Sequence, residues 1–243
     1  MANFNTHVCG ATAGSCLLAT LCQRADFIDT NGAFVLAFAG IIGGILPDID
    51  LKYSHPSKIV FTTLGLLLAM LWVFATGTRL SIIELWVFGL LVFLFIRYPL
   101  WAVFHQFTVH RGSFHSVAAA LMFGVLAVVL ADHIFRVDSR LAWLTGVFVM
   151  FGYILHLSMD EIYSVDFLGR RIKRSFGSAL KLVDFDRLIP SALIILIALT
   201  ASLYTPSTGG LITQLLEADT YSKLLDGFLP DGVPEYINNF IPL

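Results

Sequence analysis

Apolar stretches separated by short polar connections constrain this chain more than any other feature. Crossing the hydrocarbon core takes about 20 apolar residues, and fewer where a helix stops inside the protein. Seven stretches meet this description, at residues 8–22, 33–46, 60–76, 82–104, 117–131, 141–157 and 188–204. The sequence therefore predicts an all-α fold, a polytopic membrane helix bundle of about seven transmembrane helices.

The composition places the protein in a membrane. Hydrophobic residues make up 57% of the chain and charged residues 13%, and the mean hydropathy is +0.82, whereas a soluble domain is about one-quarter charged. The lipid bilayer is thus the expected partner. The net charge of −2 argues against nucleic acid as a stable partner, because no basic surplus is present to neutralise phosphates.

Basic residues divide unequally between the two sides that seven crossings define. The side that holds the N-terminus and the connections after the second, fourth and sixth stretches carries nine: Lys52, Lys58, Arg111, Arg170, Arg171, Lys173, Arg174, Lys181 and Arg187. The other side carries five: Arg24, Arg79, Arg136, Arg140 and Lys223. Because the more basic side of a membrane protein faces the cytoplasm, the first side is predicted to be cytoplasmic.

Histidines and aspartates from four separate parts of the chain fall on that predicted cytoplasmic side. They are His7, then Asp48, Asp50 and His55, then His105, His110 and His115, and finally His156 and Asp160. His133 falls on the opposite side and is excluded. Such convergence is hard to obtain by chance, and it predicts a polar site at one rim of the bundle.

Each motif also has an ordinary structural explanation. His156 and Asp160 are four residues apart, so one helix face presents both, either to a metal ion or as a simple hydrogen-bonded pair. Asp48 and Asp50 lie in a Pro-containing turn, where they are metal ligands, solvated acids or helix caps. His110 and His115 flank a loop that leads into a helix with Ser113 as its expected N-cap, and a pair of interfacial histidines is the alternative.

The combined set favours a metal cluster. The set consists of four histidines and three carboxylates: His7, His110, His115, His156, Asp48, Asp50 and Asp160. Acids so close together at one rim would repel one another unless cations intervene. Nitrogen and carboxylate ligands without thiolate suit two or three divalent ions, zinc first, with manganese or iron as alternatives. The three cysteines, at positions 9, 16 and 22, form no close pair and are interpreted as reduced packing residues.

The last third of the chain is more polar. Residues 161–187 carry basic side chains between Ile172, Phe176, Leu180 and Val183 at helical spacing, which predicts a helix in the membrane interface that faces anionic headgroups or a substrate phosphate. We therefore expect a membrane-embedded domain over residues 1–204, including this segment. The polar tail over residues 205–243 is expected in the periplasm.

Four blocks resemble the LexA-regulated family of bacterial inner-membrane metal-dependent hydrolases. They are Thr6-His7 and residues 46–50, 110–116 and 152–160, they occur in the order of that family's signature, and the similarity covers roughly the first three-quarters of the chain. That family is in turn distantly similar to zinc-dependent phospholipases C and single-strand nucleases. Those enzymes use an N-terminal Trp as a ligand of their metal cluster, whereas this chain begins with Met1. The sequence therefore leaves both a site of two metal ions and a site of three open.

The resemblance implies hydrolysis, most plausibly of a phosphoester, by a metal-activated water at the cytoplasmic face of the inner membrane. The implied metal ligands are His7, Asp48, His110, His115, His156 and Asp160. Asp50 is a further ligand, an orienter of a histidine or the general base. Arg111 would neutralise charge on the phosphoryl group, and Lys173, Arg174 and Lys181 would hold the substrate's headgroup.

Three other functions remain open. A lipid phosphatase with a histidine nucleophile fits the spacing from His156 to Asp160, but Ser139-Arg140 lies far upstream of it. A metal-ion or proton transporter would place its ionisable groups near the membrane midplane, whereas here they cluster at helix ends. A scaffold with a structural metal is the non-enzymatic alternative.

Overall fold

The structure, a computed structural model, describes residues 3–76, 80–109, 112–166, 171–172, 177 and 180–226. Almost all regular structure in these residues is helical. The α-helices are α1 Phe4–Arg24, α2 Thr30–Ile45, α3 His55–Thr76, α4 Ile82–Phe95, α5 Trp101–Phe107, α6 Val117–His133, α7 Ser139–Ile162, α8 Leu188–Ser202, α9 Gly209–Leu216 and α10 Ala218–Asp226. A 3₁₀ turn, Leu46–Asp50, follows α2, and a π-helical turn, Ile96–Leu100, joins α4 to α5.

Each of the seven predicted stretches falls on a helix, which confirms the all-α prediction. Within the described residues, four segments are long and apolar enough to cross a membrane: Thr30–Asp50, His55–Thr76, Ile82–Phe107 and Ser139–Ile162. The apolar helices α6 and α8 have only 17 and 15 residues, and α1 is diluted by hydroxyl, amide and charged side chains. Seven transmembrane helices are therefore not supported, and the cytoplasmic side, which was assigned by counting seven crossings, stays a prediction.

The interfacial helix expected over residues 161–187 is wrong for the part of that segment that the structure describes. Helix α7 ends at Ile162, where the Ser164 hydroxyl donates to the Glu161 carbonyl. Two short strands follow, β1 Val165–Asp166 and β2 Arg171–Ile172, paired antiparallel. Paired strands thus lie where part of the helix was predicted. The alternation of basic and apolar residues did not indicate the turn that Ser164 closes after α7.

Two compact units make up the chain. The first comprises the described residues within 45–119 and 156–196, and the second comprises those within 3–44, 120–155 and 197–226. In the second unit, helices approach so closely that glycine is required: a Cβ at Gly40 would overlap Ser15, and one at Gly152 would overlap the Gly40 carbonyl. Small residues on these helices thus allow their backbones to approach closely.

The first unit contains α3, α4 and α5 together with the ends of neighbouring elements. Large apolar side chains of α3 and α4 are exposed, among them Leu67, Phe74 and Trp86, as is usual for helices that face lipid. Pro99, which cannot donate a helical hydrogen bond, lies in the π-helical turn, where the Trp101 amide reaches back to the Ile96 carbonyl. The helical path therefore continues through the proline to α5.

Candidate metal centre

Three segments of the first unit bring histidines and aspartates together. The 3₁₀ turn after α2 supplies Asp48 and Asp50, the connection before α6 supplies His115, and the last turns of α7 supply His156 and Asp160. His115, His156 and Asp160 are fully buried and Asp50 nearly so, whereas the Asp48 side chain is 17% exposed. These five residues are called the His/Asp cluster below.

The distances within the His/Asp cluster suit shared ligation. His156 Nε2 lies 3.6 Å from Asp48 Oδ1, and His115 Nε2 lies 3.9 Å from Asp160 Oδ2. One ligand atom each from Asp48, His115 and His156 lies within 4.8 Å of the other two. Two atoms bound to one tetrahedral zinc at about 2.0–2.1 Å are separated by roughly 3.4 Å, so small side-chain movements would let one ion contact these groups.

The second nitrogen of His115 faces another carboxylate. His115 Nδ1 lies 3.3 Å from Asp50 Oδ2, and both side chains are fully buried. Metal-bound histidines usually have a carboxylate or carbonyl on the ring nitrogen that does not contact the metal. The two nitrogens of His115 are therefore placed differently, one towards Asp50 and one towards Asp160.

The chemistry of the donor set fits a divalent metal. Two buried carboxylates, Asp50 and Asp160, with a third, Asp48, that is largely shielded, are costly in one place unless protons or cations share the site with them. Imidazole nitrogen and carboxylate oxygen are the donors that zinc, manganese and iron accept.

Local hydrogen bonds fix the turn that carries Asp48 and Asp50. The Ser54 hydroxyl donates to the Asp48 carbonyl, and the Ser54 oxygen accepts from the Ser57 amide. Ser54 thereby joins the turn to the start of α3. This is why the Pro-Asp-Ile-Asp sequence forms an ordered turn instead of a solvated loop.

The connection before α6 is also held locally. The His115 amide donates to the Gly112 carbonyl, and the Ser116 side chain accepts from the Ala119 amide at the start of α6. Ser116 is thus the N-cap, and the expectation that Ser113 caps this helix is wrong. Ser113 is instead buried and bonds to a distant part of the chain.

That distant part is a segment we call the strap, residues 181–184. The amides of Val117 and Ala118 donate to the carbonyls of Lys181 and Leu182. The Asp184 carboxylate is buried, accepts from Ser113 Oγ at 3.4 Å and forms an ion pair with Lys181 Nζ at 3.1 Å. The strap therefore attaches to the connection that carries His115.

Sequence reasoning missed Asp184 and its neighbour Ser191, whose hydroxyl lies 2.9 Å from the Asp184 carbonyl and 3.1 Å from Ser113 Oγ. The one available signal is an acid three residues after Lys181 in a segment rich in basic residues. Lys181 itself was predicted to hold substrate, and its ammonium group bonds Asp184 in the structure. A substrate role for Lys181 stays a prediction.

The remaining predicted site residues are His7, His110, Arg111, Lys173 and Arg174. His7 is buried on α1, in the second unit. His110, Arg111, Lys173 and Arg174 lie outside the described residues. Their roles as ligands or substrate contacts stay predictions.

A helical chain with several candidate membrane spans and a buried His/Asp cluster defines an integral membrane protein with a possible metal centre. The chain belongs to the YdjM inner membrane protein family, whose model matches residues 1–172. The predicted location, a multi-pass protein of the bacterial inner membrane, is thereby confirmed. Comparison with curated proteins and with solved structures gives no match.

The family match covers all five members of the His/Asp cluster and ends before the strap. The likeness to LexA-regulated hydrolases and to phospholipases C stays a prediction from the sequence motifs.

Proposed function

We propose that this protein is a membrane-bound, metal-dependent hydrolase that cleaves a phosphoester, either a lipid phosphate or a soluble one, at the cytoplasmic face of the inner membrane. The observation that supports this function best is the buried triad of Asp48, His115 and His156, whose ligand atoms lie within 4.8 Å of one another. Phosphoester hydrolysis is the reaction for which paired divalent ions with nitrogen and oxygen ligands are well suited.

In this proposal, Asp48, His115, His156 and Asp160 are metal ligands. His7 and His110 are further ligands that the family resemblance implies. Asp50 accepts a hydrogen bond from the Nδ1–H of His115, which leaves Nε2 unprotonated and able to bind metal. The 3.3 Å separation of Asp50 Oδ2 from His115 Nδ1 supports this orienting role.

When bound, two or three zinc ions, or manganese or iron in their place, would supply a water of lowered pKa and would polarise the phosphoryl oxygens. The chain's own contribution is to hold the ligands in a buried place, because His115, His156 and Asp160 are shielded from bulk solvent. Arg111 would neutralise charge that develops on the phosphoryl group. Lys173, Arg174 and Lys181 would bind the remainder of the substrate.

The test combines metal analysis with turnover. We expect full-length protein purified in detergent to contain at least about one equivalent of transition metal. We also expect it to hydrolyse a soluble phosphodiester or a short-chain phosphatidic acid. His115→Ala and Asp160→Ala should lose metal and lower turnover by about 100-fold or more, because removing a residue that merely orients a ligand already costs about 10–100-fold.

His133→Ala is the matched control, since this histidine is half-exposed and forms an ion pair with the adjacent Asp132. It should leave metal content and turnover unchanged. Wild-type protein that holds no transition metal and shows no metal-dependent hydrolysis would contradict the proposal. Metal flux across vesicles without hydrolysis would instead select the transporter.

A further inference from the structure

A second polar group lies beside the His/Asp cluster and has no role in the function proposed above. Ser57, in the first turn of α3, is fully buried. Its hydroxyl oxygen lies 3.0 Å from Trp101 Nε1 and 2.9 Å from His105 Nε2.

The donors and acceptors of this group determine where its protons lie. An indole N–H can only donate, so Ser57 Oγ accepts from Trp101. The hydroxyl proton of Ser57 then needs an acceptor, and among the described residues His105 Nε2 is the one within reach. An Nε2 that accepts a hydrogen bond carries no proton, so the neutral ring carries its proton on Nδ1.

A doubly protonated His105 does not fit this arrangement. Ser57 would then face two donors, and its own buried proton would have no acceptor among the described residues, which costs about 1–3 kcal/mol. Lys52 also disfavours a second proton on His105, because its Nζ lies 5.5 Å from the centre of the Trp101 ring, which packs against His105. The surroundings therefore favour the neutral imidazole.

The His105 ring is also fixed in orientation. Its centre lies 5.0 Å from that of Trp101 and 5.1 Å from that of Phe104, both in edge-to-face contact. His105 Nδ1 is buried, and the backbone carbonyl of Asp50 is the hydrogen-bond acceptor beside this imidazole. Asp50 is the carboxylate that acts on this imidazole electrostatically.

We propose that Ser57 and Trp101 hold His105 as a neutral Nδ1–H imidazole, and that His105 is a positioning residue whose Nδ1–H donates to the backbone carbonyl of Asp50. A fixed donor at this carbonyl holds the turn that carries the Asp50 side chain. Asp50 is then kept as the acceptor for His115 Nδ1–H. This last step rests on the proposed function, whereas the tautomer of His105 does not.

The first measurement is the tautomer in the metal-free, full-length protein. Long-range ¹H–¹⁵N spectra of histidine-labelled protein distinguish a protonated from an unprotonated ring nitrogen, and His105→Gln assigns the signals. We expect a protonated Nδ1 and an unprotonated Nε2 at pH 7.5. Ser57→Ala should populate the Nε2–H form, Ser57→Thr should preserve the wild-type pattern, and Thr63→Ala, at an exposed site on the same helix, should change nothing.

The second measurement is metal affinity by competition titration with Zn²⁺. Ser57→Ala and His105→Gln should weaken binding by roughly tenfold, the usual effect of removing a group that orients a ligand, and Ser57→Thr should restore it. A protonated Nε2 in wild type would overturn the proposal, as would unchanged Zn²⁺ affinity in both variants. If wild-type protein binds no Zn²⁺, both the proposed function and the positioning role of His105 fail. The spectra still decide the tautomer of His105 in that case.

Discussion

The contacts of Asp50 bear on which of three roles this residue has. Sequence reasoning left it as a metal ligand, an orienter of a histidine or the general base. Its Oδ2 lies 3.3 Å from His115 Nδ1, while the other nitrogen of His115 faces Asp160. This division favours the orienting role, because the metal-facing nitrogen then remains available.

Asp50→Asn tests the three roles directly. The amide keeps the shape and removes the charge, so an orienter should lose about 10–100-fold in metal affinity with the number of bound ions unchanged. Loss of a whole equivalent would identify a ligand, and unchanged affinity with lowered turnover would identify the general base. Metal titration and content measure both quantities, and Asp219→Asn, on the surface of α10, is the control.

The cluster residues could be predicted from sequence, whereas their supporting partners could not. Asp48, His115 and Asp160 are visible because ionisable groups are rare in apolar surroundings and their presence there needs an explanation. Ser57 and Asp184 are not visible, since each acquires its role from a partner 40 or more positions away in the chain: Ser57 from Trp101 and His105, and Asp184 from Ser113. Such pairs depend on tertiary packing and leave no local pattern.

Among the elements, the strap is the clearest case of a segment that the sequence assigned to the wrong structure. Residues 181–184 were expected within an interfacial helix, and they run instead beside the first turn of α6. Two backbone hydrogen bonds and the buried Asp184 hold them there. A short polar segment can be fixed in this way without any helical pattern, because backbone pairing is independent of side-chain periodicity.

Asp184→Asn should loosen the connection that carries His115. The change weakens one ion pair and one hydrogen bond of a buried carboxylate, for which about 1.5–3 kcal/mol is typical. We expect faster amide hydrogen exchange over residues 112–118, because the Val117 and Ala118 amides bond to the strap. Exchange measured by mass spectrometry on metal-free protein checks this, independently of any metal.

The neighbouring Asp186 is exposed, so Asp186→Asn removes the same charge without touching the buried contacts. It should leave exchange over residues 112–118 as in wild type. Equal acceleration in both variants would mean that general charge loss, and not the Asp184 contacts, protects this connection.

For the whole molecule, apolar patterning identified the helices but not how many of them cross the bilayer. All seven stretches are helical, yet only four segments of the described chain have both the length and the apolar character of a span. A helix packed among other helices can be short or carry polar groups, as α1 does with its buried His7 and Ser15, because neighbouring helices replace lipid. Sequence hydropathy does not distinguish a helix surrounded by lipid from one surrounded by other helices.

The number of crossings determines which side of the membrane the site faces. Tyr53, close to the His/Asp cluster in sequence, and Phe135, between α6 and α7, are both strongly exposed. Seven crossings place Tyr53 in the cytoplasm and Phe135 in the periplasm, but this requires the 17-residue α6 to span the membrane. In a chain whose native cysteines are replaced by serine, Phe135→Cys should react with a membrane-impermeant thiol reagent in intact cells, and Tyr53→Cys should react only after permeabilisation. Labelling of both cysteines from one side would show that α6 does not cross. Labelling of Tyr53→Cys alone from outside would place the His/Asp cluster on the periplasmic side. A cytoplasmic substrate could not reach it there.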